Sequence, residues 1–234
     1  MELTPQESLK RKAAERALEY VESGMVLGLG TGSTVAHFLD LLAAKLSQGG
    51  LSDIVGVPTS AWTDREARKA GIELIGLADR DRLDLTVDGA DEVSPDLDLI
   101  KGMGGALLRE KMVAQASHHL VIIADGSKAV EHLGTVSPLP VEIVDWASET
   151  HARFMEGLGA AVEIRSSDGG LPVQSDNGNL LLDCRFPDGI SDPSALDAAL
   201  QSRAGVVETG FFLRMADVAI LAFAEGIEVR ERHS

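Results

Sequence analysis

The sequence predicts an α/β fold in two parts, an open parallel-sheet domain and a smaller α+β domain inserted near the C-terminus. Three observations carry this. Short apolar runs alternate with amphipathic segments over residues 1–133, the pattern of strand–helix–strand units. A glycine-rich turn, Gly28-Leu29-Gly30-Thr31-Gly32-Ser33-Thr34, joins one of those runs to a helical segment. From Gly134 the order becomes β-α-β-β-α-β, and a last apolar run, Asp217 to Phe223, is left to rejoin the first sheet. The expected layout is a Rossmann-like domain at residues 1–133 plus 212–234 and a ferredoxin-like α+β domain at 134–211.

Residues 4–22 read as an amphipathic helix with a basic patch at Lys10, Arg11 and Lys12; it lacks the apolar block of a signal peptide. Met25 to Leu29 is a short strand, followed by the glycine turn and a helix to about Leu46. Backbone N–H groups, hydroxyls and a helix dipole make such a turn a cradle for an anion. It is not a dinucleotide fingerprint. Ser33 stands where the last glycine belongs, and the next strand, 54–57, runs into Pro58-Thr59-Ser60 with no acid to hold a ribose. The P-loop lysine is missing as well, since Val35 follows Thr34. One phosphate on a small molecule fits better than a nucleotide. The plainer alternative is a turn whose glycines serve only helix–sheet packing. A helix at 62–70, stopped by Gly71, and a strand at 72–76 complete this half.

The stretch Leu85 to Ala114 organises the chain. Leu83, Leu85 and Val87 alternate with Asp84, Thr86 and Asp88, which is strand periodicity, so Asp88 and Asp91 fall at the strand's carboxyl end, where open α/β sheets bind ligands. Lys101, Gly102, Gly104 and Gly105 precede a helix at 106–116, with Leu108, Met112 and Ala116 as its apolar row and Glu110 off that row. The plainer reading is an acidic loop before a surface helix. Lys101, the glycines and Glu110 in one register favour polar groups converging on a small ligand. A strand at 119–124 then ends in Ala124-Asp125-Gly126-Ser127-Lys128. Lys128 is a second candidate phosphate contact, or else an exposed loop lysine. His118 and His119 read as a helix-end cation and a strand residue, not as metal ligands.

The second part opens at Pro138-Leu139-Pro140 with a strand to Val144. Then come a helix at 147–158, strands at 161–165 and 179–185 around the turn Ser175-Asp176-Asn177-Gly178-Asn179, a helix at 193–201 and a strand at 205–212. The tail, 226–234, reads as solvated.

With 234 residues, 44% of them hydrophobic, the chain can bury a sizeable core. A net charge of −16 argues against nucleic acid and anionic membranes as partners, and 4% aromatic content argues against base-stacking platforms. No run approaches the roughly 18 apolar residues of a membrane span. The single Cys184 excludes an intrachain disulfide and reads as a buried strand residue, so the cytoplasm is the expected compartment. There is no H-x-E, H-E-x-x-H or C-x-x-C spacing and no serine in a G-x-S-x-G elbow.

A phosphate cradle, carboxylates, a lysine and a helix-borne glutamate, with neither metal nor nucleotide signature, suit proton transfer on a sugar phosphate. A base must take a proton from one carbon and return it to the next, and donors must stabilise the enediolate oxygen. At this point the chain resembles the type A ribose-5-phosphate isomerase family. The matching stretches are GLGTGST (28–34), VPTS (57–60), VDGADE (87–92), KGMGGALLREK (101–111), ADGSK (124–128), PLPVE (138–142), SDNGN (175–179) and residues 205–210.

The resemblance implies interconversion of ribose 5-phosphate and ribulose 5-phosphate through an enediolate, without metal or other cofactor, in the pentose phosphate pathway. It also implies a homodimer or homotetramer whose only small-molecule partner is a sugar phosphate. It makes Glu110 the proton acceptor. Thr31, Gly32, Ser33 and Thr34 bind substrate, mainly its phosphate; Asp88, Gly89, Ala90 and Asp91 line the sugar; Lys101, Gly102, Met103 and Gly104 close over it; Lys128 matches a substrate-contacting lysine, and Lys10 sits where some members place a phosphate contact. Met103 replaces a glycine of many members, so its part is expected to be played by an N–H on an ordinary backbone. Two other readings stand beside this one. A non-catalytic sugar-phosphate sensor expects a basic face and an altered base position, and a nucleotide-dependent oxidoreductase expects the missing ribose acid.

Overall fold

A computed structural model describes residues 3–232. In chain order, α1 (Pro5–Ala17) precedes β1 (Val26–Leu29), α2 (Ser33–Ser47), β2 (Val55–Pro58), α3 (Ala61–Lys69), β3 (Glu73–Leu74) and β4 (Leu83–Asp88). Two short strands follow, β5 (Glu92–Val93) and β6 (Leu99–Ile100), then α4 (Leu107–Gln115) and β7 (Ser117–Asp125). The remainder is β8 (Leu139–Ile143), α5 (Ser148–Gly157), β9 (Ala161–Ile164), β10 (Leu180–Arg185), α6 (Pro193–Gln201), β11 (Val206–Thr209), β12 (Phe211–Phe212), β13 (Val218–Ala222) and β14 (Ile227–Glu231).

The chain divides into two compact units. The first comprises the chain up to Ala90, Arg109–Ala129 and the chain from Met215; the second comprises Asp91–Leu108 and Val130–Arg214. The inserted unit's outer limits lie a few residues from those expected, but it also takes in 91–108. The cause is a three-stranded antiparallel sheet in the order β12-β6-β5, which ties the segment after β4 to the end of the insertion. Strands of two residues carry too little periodicity to be read from sequence.

The first unit holds a seven-stranded sheet in the order β14-β13-β7-β4-β1-β2-β3, parallel except for β14. The order reverses between β1 and β4, so the chain leaves these neighbours in opposite directions and a crevice opens at their carboxyl ends. Helix α1 presents Ala13, Ala14 and Ala17, all fully buried, to a core that includes Leu27, Leu29, Phe38, Val87 and Ile123. The tail is not solvated throughout: Ile227–Glu231 form the antiparallel edge strand on β13. Its apolar residues are only Ile227 and Val229, at alternate positions, which two-residue alternation among charges conceals.

The second unit holds a four-stranded antiparallel sheet in the order β11-β8-β10-β9, the 4-1-3-2 arrangement of a ferredoxin-like fold. Its own core packs Leu139, Val141, Ile143, Met155, Leu182 and Phe211. Cys184 lies in β10, 1% exposed, and burial pushes its thiol up to about 12. The strand expected over 205–212 is two strands in different sheets. The break falls at Gly210, whose added Cβ would meet the Lys101 carbonyl oxygen at 2.4 Å.

Candidate active site

In the first unit, the three glycines of the cradle have three different reasons. A Cβ on Gly28 would lie 1.9 Å from Thr86 Oγ1 and 2.6 Å from Val113 Cγ1, so this glycine lets α4 approach β1. A Cβ on Gly30 would lie 2.1 Å from Asp88 Oδ1. Gly32 faces open space but has φ +112°, a region that favours glycine, and serves as the N-cap of α2 with no side-chain cap. Packing, carboxylate approach and turn geometry therefore divide among them. The structural alternative raised by the sequence holds for Gly28 and not for Gly32.

The cradle is held from behind. Asp88, 1% exposed at the end of β4, accepts from the N–H groups of Thr31 (3.0 Å) and Gly89 (2.7 Å). The Thr31 hydroxyl sits among those of Thr59 (2.8 Å), Ser60 (2.8 Å) and Thr63 (3.0 Å), and Thr63 and Thr59 donate to the Gly30 and Leu29 carbonyls. Thr31 is thus engaged by protein through both its N–H and its side chain. This hydroxyl cluster is the part of the site that the sequence reading missed; its signal was the Val57 to Ser60 match, which carried no assigned role. What the turn leaves facing outward is the uncapped start of α2 with the hydroxyls of Ser33 and Thr34. Such an end favours negative charge.

A cation stands at that end. Lys10 Nζ, on α1, donates to Ser33 Oγ at 2.9 Å and to Glu7 Oε1 at 2.6 Å, while Glu7 Oε2 meets His37 Nε2 at 2.7 Å. The bonds from Lys10 and then His37 hold the Glu7 carboxyl below its usual range. At the end of β7, Lys128 closes a single 3-10 turn, Gly126–Lys128, and is half-buried. Burial pushes the neighbouring Asp125 carboxyl up. Bonds from the Ser127 hydroxyl and amide and from Gln6, with the charge of Lys128, outweigh burial and hold it below the usual range.

Glu110 lies in the first turn of α4, 3% exposed. The buried residues of this helix are Leu107, Glu110, Lys111, Val113 and Ala114, while Met112 is 48% exposed. The expected apolar row through Leu108, Met112 and Ala116 is therefore wrong by about one helical step. A long apolar side chain on an exposed face looks the same in sequence as one in the core. The helix runs from the carboxyl edge of the sheet, where β4 ends, back to the start of β7. Glu110 is one turn closer to that edge than Val113, which packs over Gly28. His118 and His119 both lie within β7 and are exposed, and no cluster of three metal-ligating side chains is present among the described residues.

In the second unit, Asp91 Oδ2 accepts from the Met103 N–H at 3.0 Å. Met103 has an ordinary negative-side backbone, as expected, but its N–H is taken by this carboxylate and does not face a ligand. Lys101 is 2% exposed, its N–H donates to the Gly210 carbonyl at 2.8 Å, and its Nζ stands 5.3 Å from the Phe212 ring centroid. Gly102 has φ +109°, and a Cβ there would meet Leu107 at 2.9 Å. The neighbouring Glu92, fully buried, accepts from the N–H groups of Gly134, Val136 and Ser137, each at 2.6 Å. In the VDGADE stretch, then, each carboxylate ties down a different piece of backbone.

Residues 55–226 match the family model for ribose 5-phosphate isomerase A (phosphoriboisomerase A). A ribose-5-phosphate isomerase A from Desulfatibacillum aliphaticivorans is 49% identical over 225 residues, covering 96% of this chain and 97% of the relative. A probable ribose-5-phosphate isomerase 2 from Arabidopsis thaliana is 45% identical over 238 residues, covering 100% and 89%. Among solved structures, the ribose 5-phosphate isomerase from Plasmodium falciparum superposes with a TM-score of 0.94 at 37% identity, covering 97% of this chain and 100% of that one. A D-ribose-5-phosphate isomerase in complex with phospho-erythronic acid superposes with a TM-score of 0.95 at 40% identity, covering 98% and 100%. With fold, motifs and full-length similarity in agreement, the chain belongs to the ribose-5-phosphate isomerase A family and is an aldose–ketose isomerase of ribose 5-phosphate and ribulose 5-phosphate.

Proposed function

We propose that Glu110 is the base of this reaction and that the start of α2 grips the substrate phosphate. In the open-chain aldehyde, Glu110 takes the proton from C2 and returns it to C1, while a proton passes from the C2 hydroxyl oxygen to the oxygen on C1. The products are a C2 ketone and a C1 hydroxymethyl group, so no electron leaves the substrate and no redox cofactor is needed. Gly32, Ser33 and Thr34, with Lys10 and Lys128, hold the phosphate. Thr31 acts through the backbone it stiffens. Asp88, Gly89, Ala90 and Asp91 are assigned the sugar, with ring opening by one of the two carboxylates. Lys101 and Gly104 are assigned the enediolate oxygen as donors, and Gly102 and Met103 shape the loop that presents them, the Met103 N–H being taken by Asp91.

The observation that carries the reading is the burial of Glu110 at the sheet edge where Asp88 and the cradle also end. A carboxylate is rarely buried unless it is used or paired. The solved relative holding phospho-erythronic acid supports a phosphorylated sugar-type ligand. A cytoplasmic location and a homodimer or homotetramer belong to the same proposal and rest on the family resemblance; among the described residues no helix is long and apolar enough to cross a membrane.

The test is a coupled assay on ribose 5-phosphate, with and without chelator. Wild-type rate is expected in chelator. Glu110→Gln is expected to lose about 10²–10⁴-fold in kcat, the worth of a positioned base. Retention of wild-type kcat by Glu110→Gln rejects the base assignment.

A further inference from the structure

We propose that Arg165, which lies outside every stretch assigned to the site, is a positioning residue: its guanidinium holds the backbone of Gly102 and Met103 and thereby aims the donor loop 101–104. The inference rests on the reading of that loop as the enediolate's donor.

Arg165 follows β9 in the second unit. One edge of its guanidinium is engaged by Asp183 of β10, with Nε donating to Oδ2 at 2.9 Å and Nη2 to Oδ1. The two side chains are 13% and 18% exposed, so the pair is largely out of water. A fork held in this way has little rotational freedom left, which separates it from a solvated surface ion pair. The remaining nitrogen, Nη1, donates to the Gly102 carbonyl at 2.9 Å and to the Met103 carbonyl at 3.1 Å.

The consequence lies in the peptide planes. In a trans peptide the C=O and the following N–H point in opposite directions, and this chain has no cis bond among the described residues. The Gly102–Met103 plane is pinned at both ends: its C=O by Arg165 and its N–H by Asp91. The Met103–Gly104 plane is pinned by Arg165 at its C=O, which turns the Gly104 N–H away from the guanidinium. Gly104 is exposed. The loop amide offered to a ligand is therefore that of Gly104, and Arg165 sets its direction. Gly105 fits the same design: a Cβ there would stand 3.9 Å from Nη1 and 3.3 Å from Leu181 Cδ1, while its φ of +78° makes the turn. Lysine at 165 has one point charge where the arrangement needs a planar fork with donors on two sides.

The experiment is steady-state kinetics on the full chain for Arg165→Met, Arg165→Lys, Asp183→Asn and Lys101→Ala, with amide hydrogen exchange over 101–105. Arg165→Met is expected to lose about 10- to 100-fold in kcat with KM for ribose 5-phosphate within about threefold, since the phosphate grip is elsewhere. Exchange over 101–105 should quicken while the core strands keep their protection. Arg165→Lys should recover only part of the loss. Wild-type kcat in folded Arg165→Met overturns the inference, as does a kcat loss accompanied by faster exchange throughout the second unit. If Arg165→Met does not fold, Asp183→Asn must show the same kcat loss at unchanged KM, and wild-type kcat there overturns it. Loss in Lys101→Ala with none in the Arg165 variants defeats this inference alone. Wild-type kcat in Lys101→Ala rejects the donor-loop reading and the inference with it.

Discussion

Two glycine-rich turns of this chain, Gly28 to Thr34 and Lys101 to Gly105, look alike in sequence and are built in opposite ways. The first is braced by residues close to the strands beside it: Asp88 at the end of β4, Thr59 and Ser60 just after β2, and Thr63 in the first turn of α3. The second is braced by residues far along the chain, with Gly210 on the Lys101 N–H and Arg165 on two carbonyls. A turn held by its own sheet is rigid wherever that sheet forms. A turn held by a distant arginine can be loosened without unfolding the sheet that carries the proposed base. Under the proposed function the first turn would grip the phosphate and the second would present donors.

The largest effect expected on the first turn comes from Gly30→Ala, which places a methyl 2.1 Å from Asp88 Oδ1. Overpacking of this kind costs roughly 1–3 kcal/mol and here must displace the carboxylate that holds the Thr31 N–H. A loss of at least about 100-fold in kcat/KM should follow, because misplacement by about 1 Å has that effect. Gly32→Ala meets no atom within 4 Å; at φ +112° and ψ 176° it carries backbone strain of about 1–3 kcal/mol and, at the proposed phosphate grip, is expected to raise KM with kcat largely kept. Equal damage from the two substitutions, measured by thermal melting and kinetics, would break the account of three glycines with three reasons.

An intermediate effect is expected at acid pH in the first unit. The folded Asp125 carboxyl titrates below its ordinary value, so the unfolded chain takes up a proton there first as pH falls. Its contribution to stability is present above the ordinary aspartate range, near pH 4, and is lost as pH falls through the lower folded value. Asp125→Asn should flatten the drop in melting temperature below about pH 4 and leave its slope above pH 5 unchanged. An unaltered acid limb would show that the Ser127 and Gln6 bonds do not favour the charged form.

The smallest effect is predicted for Met103→Ala in the second turn. The side chain is 42% exposed, and the loop is held mainly through the Met103 N–H and C=O; its thioether adds one long contact, from Arg165 Nη2 at 3.8 Å. Activity should stay within about twofold, in line with ordinary surface substitutions. A large change in KM would give the side chain a direct role and weaken the contrast between the turns.

How much could be read from sequence follows the same line. The strand–helix alternation, the glycine turn, the carboxylate at the end of β4 and the ferredoxin-like order of the insertion are all legible, because each is assembled from strand, helix and turn patterns that are local in the chain. The apolar row of α4 was misjudged because Met112 is exposed and the buried position belongs to a charged residue, Glu110. The edge strand Ile227–Glu231 was hidden by its charges. The Thr31 hydroxyl cluster is half legible: both of its stretches stand out in the sequence, and nothing in either says that they meet.

Local order in this protein follows from side-chain periodicity and turn chemistry, which act between near neighbours and are written into consecutive letters. Which carbonyls Arg165 reaches, which N–H Asp91 consumes and which way Gly104 points are set by packing between segments more than ten and up to about sixty residues apart. Those bonds form only once hydrophobic burial has brought the segments together, so no local pattern announces them.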